Sequence, residues 1–170
     1  MSEERQARID EIIARKRAAD ARQEVVRLLS SITSIRFEGL VDVNEQLIDP
    51  WSCWVEILAG AVKPGRKLDD HAFPHEVASW LAIGLNETGV DSEYHVSFGE
   101  YAGIVPWARI HVLSHDWLSA VWDVVPTVDL LILSVDSQTI FAVENDVDWY
   151  YCYIEKVEAM QAYISSTDEI

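Results

Sequence analysis

From Ser2 to about Ile32 the chain has no glycine or proline and intersperses charges with Ile9, Ile12, Ile13, Ala19, Val26 and Leu29 at near-helical spacing. That periodicity predicts one long helix. Its first half holds too few apolar residues for a coiled-coil seam. Docking is therefore expected from the second half only, with the first turns projecting into solvent. Ser34–Val43 alternates apolar and polar positions around Gly39 and reads as one strand or a pair of short strands. Asp49-Pro50 has the form of a helix start, N-cap followed by a first-turn proline. The helix it opens, WSCWVEILAGAV, puts Trp51, Trp54, Val55 and Leu58 on one face, expected to be core.

KPGRKLDDHAF reads as a loop, and FPHEVASWLAIGLNETG as a helix opened by Pro74 and stopped near Asn86 or Gly89. YHVSF and VPWARIHVL have strand character. Ser114 is placed to cap a short helix with Trp117, Val121 and Trp122 turned inward. DLLILSV, QTIFAVE and DWYYCYIE are β-branched and aromatic runs separated by DSQ and ND, too short for a crossover helix. They predict an antiparallel meander whose first strand is covered on both faces. A short helix is expected over Glu158–Tyr163. The fold class is α+β: an antiparallel sheet with a C-terminal three-stranded meander, packed by helices, plus a long N-terminal helix. Residues 1–33 form that charged helix and 34–170 a single α+β domain.

Composition sharpens this in one respect. Up to Lys67 there are 11 Lys and Arg against 11 Asp and Glu; from Leu68 onward Arg109 and Lys156 face 18 acids, so 2 − 18 = −16, the whole net charge. Such a field repels nucleic-acid phosphates and anionic lipid and attracts a basic protein. The alternative is that acidity serves solubility alone. No apolar run approaches the roughly 20 residues of a membrane helix, and MSEERQARID lacks a signal's apolar stretch, which places the expected site of action in the cytoplasm. Cys53 and Cys152 sit in apolar surroundings, as buried structural thiols do.

The five histidines, His71, His75, His95, His111 and His115, raise the question of a metal. Pro74 breaks the His71/His75 pair, and on a strand His111 and His115 are about 13 Å apart. GAVKPGRK has the glycine spacing of a phosphate loop but not its Lys-Ser/Thr, and GEYAG lacks a third glycine. For Cys152, the neighbouring Tyr151, Tyr153 and acids suppress the thiolate. Paired carboxylates such as Asp116 with Asp123 are expected by chance in so acidic a chain. No nucleophile, base and oxyanion donor can be named together, so the reading is a non-enzyme with no metal and no cofactor.

What remains is acid interleaved with aromatics. In VENDVDWYYCYIE, Glu144, Asp146 and Asp148 are read as a turn, and Trp149, Tyr151 and Tyr153 alternate with Tyr150, Cys152 and Ile154 across the sheet. One set is core. The other, if exposed, offers rigid anchors beside negative charge; if helices cover both faces, it offers none.

The stretches YHVSFGEYAGIVPWARIHVLSHDWLSAVWD and DLLILSVDSQTIFAVENDVDWYYCYIE, about residues 90–156, resemble small acidic bacterial immunity proteins of polymorphic-toxin systems in acidity, aromatic strands, a DW-containing helix and a C-terminal meander. The resemblance implies a cytoplasmic module that neutralises a cognate basic toxin by direct binding. It transfers no site residue. The interface expected from the residues themselves is Glu144, Asp146, Asp148, Trp149 and Tyr151. Two other classes stay open: an enzyme or metal-binding protein using the His71–His115 region, and a structural protein self-associating through the N-terminal helix.

Overall fold

A computed structural model describes residues 3–41, 47–89, 91–124 and 129–167. Among these residues five α-helices, α1 (Glu3–Ser30), α2 (Pro50–Leu58), α3 (Pro74–Asn86), α4 (Trp117–Val124) and α5 (Val157–Thr167), accompany seven strands. These are β1 (Ile35–Val41), β2 (Arg66–Asp69), β3 (Glu93–Phe98), β4 (Trp107–Val112), β5 (Leu130–Ser134), β6 (Thr139–Asp146) and β7 (Trp149–Lys156). They form one sheet in the order β1-β4-β3-β5-β6-β7-β2, every neighbouring pair antiparallel. The fold is α+β, with the long N-terminal helix and the β5-β6-β7 meander in place.

Each strand's period of two divides the core into two layers. Leu130, Ile132, Phe141, Val143 and Cys152 face Val25 and Leu29 of α1, Val77, Leu81 and Leu85 of α3, and Trp117 and Val121 of α4. Leu131, Leu133, Ile140, Ala142 and Tyr153 face Cys53, Trp54 and Ile57 of α2 and Val157 and Met160 of α5. β5 is accordingly buried along its whole length. On α1 the buried residues are Ala21, Val25, Leu28 and Leu29, while Ile9, Ile12 and Ile13 are exposed, so the helix docks by its second half.

Asp49 does cap α2, its Oδ2 accepting Ser52 N–H at 2.9 Å, with Pro50 in the first turn. The core face of α2 differs from expectation. Trp54 is buried, but with Pro50, Cys53 and Ile57, whereas Trp51, Val55 and Leu58 are exposed. Both sides of this helix are apolar, and its approach to Trp107, whose indole N–H bonds Ile48 C=O at 2.6 Å, selects between them. Two further corrections concern loops and caps. The stretch read as a loop contains β2, paired to β7 from Arg66↔Cys152 to Asp69↔Trp149. Ser114 turns its hydroxyl to Asp116 rather than to a backbone N–H of α4.

Candidate protein interface

The β6-β7 hairpin brings together four of the five expected interface residues. Its register pairs Glu144 with Tyr151 and Asp146 with Trp149, so all four side chains belong to the sheet face that α2 and α5 cover elsewhere. Glu144 and Asp146 lie in β6, not in the turn as the sequence suggested, because pairing continues to Asp146↔Trp149. Only Val147 and Asp148 make the turn. Asp148 therefore belongs to the hairpin tip, where its C=O accepts Asp70 N–H at 3.2 Å.

The aromatics are neither free nor sealed. Trp149 and Tyr151 are half-buried, and the Lys67 ammonium sits 4.3 Å from the Trp149 ring centroid. Burial of Tyr153, together with its 2.5 Å hydrogen bond to Glu144 Oε2, pushes its phenol pKa up and keeps it the donor. Glu144 is thereby anchored, while Asp146 and Asp148 are exposed. At the tip, Val147 is 85% exposed with φ 28°, a backbone region disfavoured for a β-branched residue.

Tertiary pairing adds acids from distant segments to the same end of the sheet. Asp69 is opposite Trp149, and Asp70 bonds the hairpin tip and reaches Tyr150 electrostatically; burial first, then Asp70, raises the Tyr150 phenol pKa. On the other face Tyr150 meets Trp122 of α4 edge to face, with centroids 5.6 Å apart, and Asp123 follows. Asp129 is structural here: its Oδ1 accepts Asn145 N–H at 3.0 Å. Of the nearby cations, Arg66 is turned to Glu87, which leaves Lys67 over Trp149.

The histidines do not form one centre. His71 pairs with Asp70, His75 stacks on Phe73, and His115 is exposed. His95 and His111 are diagonal neighbours on β3 and β4, in a charged network that sequence reasoning missed. The register of β1 shifts between Phe37 and Gly39, so Glu38 is an extra, bulged residue. Gly39, at φ 129°, permits that conformation. Glu38 then pairs with Arg36 at 3.0 Å and Arg109 at 3.2 Å, and Arg109 also binds Glu93 at 2.7 Å. Ligand atoms of Glu38, Glu93 and His111 lie within 4.8 Å of one another. Burial, then Arg109, holds the His95 pKa down.

Cys53 and Cys152 are buried, one in each core layer, and burial pushes both thiols up to about 12. They are structural thiols. Among the described residues no helix is long and apolar enough to cross a membrane. No protein-family model, curated protein or solved structure matches the chain.

Proposed function

We propose that this chain is a protein-binding module that neutralises a basic partner by direct contact, in the manner of a cytoplasmic immunity protein acting on its toxin, through the acidic end of its sheet. One observation carries the reading. Asp69 of β2 with the adjoining Asp70, and Glu144, Asp146 and Asp148 of the hairpin, gather at one end of the sheet, beside the half-buried rings of Trp149 and Tyr151 on one face, with Tyr150, Trp122 and Asp123 on the other. Rigid aromatics give contact area at small entropic cost, and surrounding carboxylates accelerate encounter with a cationic surface. The outlier at Val147 fits the same use. Asparagine or glycine would serve that turn with less strain, so an exposed valine there suits a contact made outside the fold.

The experiment is affinity capture from the source cell with the purified chain as bait, at low and high salt. One basic protein retained at low salt and released as salt rises supports the reading. Retention that is insensitive to salt, or of an acidic protein, contradicts it.

A second reading has one specific observation in its favour. His111 Nδ1 is buried without a hydrogen-bond partner and lies 4.0 Å from Glu93 Oε1, a spacing two ligands of one divalent ion can have. Against it, both oxygens of Glu38 and one of Glu93 are already held by arginines. A zinc- or manganese-dependent rise in Tm, lost in His111→Ala, would favour this reading over the first.

A further inference from the structure

A groove lies between α3, α4 and β7. Val77 and Leu81 are its buried floor, Ala72, Pro74 and Ala78 its apolar flank, and Trp122 and Tyr150 its aromatic wall, the two rings at 86°. Ser119 and Asp123 supply the polar atoms. Its volume is about 220 Å³, below the roughly 300–1,000 Å³ of sites that enclose a drug-sized molecule. The space suits one long side chain.

Its chemistry selects which one. Asp123 is exposed and has no ion-pair partner among the described residues, and Asp70, the charge that acts on Tyr150, is also an acid. A groove with a methylene-compatible floor, two aromatic rings meeting edge to face and an unneutralised carboxylate complements a flat cation on an aliphatic stem. A guanidinium meets all three demands at once, stacking on aromatic rings and pairing with carboxylate, where an ammonium is a compact, strongly hydrated charge. We propose that this groove is a binding site for a single arginine side chain, presented by the basic partner. The proposal rests on the function proposed above for the identity of that partner; the groove's preference for a guanidinium does not.

The test uses the full chain and two small probes, the N-acetyl methylamides of arginine and of its uncharged isostere citrulline. Each is titrated into ¹⁵N-labelled protein, and the Trp122 indole N–H resonance, assigned by its loss in Trp122→Phe, is followed. The arginine probe is expected to shift that resonance saturably and to bind about fivefold or more tightly than the citrulline probe. Asp123→Asn, a change at an exposed position, is expected to abolish most of that difference. Equal shifts from both probes, or none from either, would overturn the site. The captured partner separates this proposal from the one it rests on. If it binds Asp123→Asn and Trp122→Phe with unchanged affinity, the groove is wrong and the partner stands. If the arginine probe binds as expected and no basic protein is captured, the groove stands and the toxin-neutralising function falls.

Discussion

At Gly84 α3 packs directly against the sheet, and replacing this glycine with alanine opposes two effects of known sign. A Cβ built there would be 2.7 Å from Phe141 Cε2 and 3.3 Å from Cys152 Sγ. Phe141 is completely buried, so its ring has no solvent to move into. Crowding a packed core costs about 1–3 kcal/mol, while alanine in place of glycine inside a helix returns about 1 kcal/mol. With a crowding cost near 2 kcal/mol, Gly84→Ala should lose about 1 kcal/mol, a fall in Tm of about 2–4 °C for a chain of this size. Phe141→Leu removes the atom that clashes. In that background the same Gly→Ala change should become stabilising by up to about 1 kcal/mol. Urea denaturation followed by circular dichroism on the four chains of this cycle reads both signs. An alanine that stabilises the wild-type chain by its full helical propensity would refute the close approach of α3 to β6.

Three further outcomes follow from the same structure. Asp91 accepts hydrogen bonds from Ser134 Oγ and, at 3.0 Å, from Asp136 N–H; burial alone would raise its pKa, but these bonds outweigh it and hold the carboxyl low. Asp91→Ala should therefore cost about 1 kcal/mol at neutral pH, reduced by partial hydration. Its contribution is present above the ordinary aspartate value and lost as pH falls through the depressed one, so the variant and wild type should converge in acid; a gap independent of pH would contradict this. His95 works in the opposite proton balance. Its folded pKa is below 6.5, so the unfolded chain binds the proton more readily and stability should fall as pH drops below about 6.5. His95→Gln should flatten that slope in urea midpoints, and an unchanged slope would assign it to other groups. Deleting residues 1–16 spares Ala21, Val25, Leu28 and Leu29 and should leave Tm within about 2 °C, whereas deletion through Ser30 should prevent cooperative unfolding. If the short deletion sediments as a smaller assembly than the full chain, the projecting half of α1 mediates self-association.

Local chemistry made some elements legible and left others hidden. The meander was readable because β-branched and aromatic runs separated by two or three polar residues leave an antiparallel hairpin as the only connection. Asp49-Pro50 marked α2 because capping is a property of adjacent residues. The inward face of α2 was not readable, since Trp51 and Ile57 are both apolar and only packing against Trp107 and α5 distinguishes them. β2 was hidden because Arg66-Lys67-Leu68-Asp69 has no strand-like pattern of its own; β7 supplies its hydrogen bonds. The interface divides the same way. Asp146, Trp149 and their neighbours were visible as one acidic, aromatic run, but Asp69, Asp70 and Asp123 join them only through the β2-β7 pairing and the Trp122–Tyr150 contact. The Glu38–Arg109–Glu93 network had no sequence signal, because the bulge that Glu38 itself forms brings it to Arg109.

The most direct measurement is the association rate of the captured partner, by stopped flow at low and at high salt, with wild type and with the triple variant Glu144→Lys, Asp146→Lys, Asp148→Lys. Circular dichroism first establishes that the variant is folded, which matters because Tyr153 loses its acceptor at Glu144. The account predicts that wild-type association slows by about tenfold or more as salt rises, and that the folded variant associates slowly at both salt concentrations. A variant that associates at the wild-type rate in low salt would contradict the acidic hairpin as the binding surface.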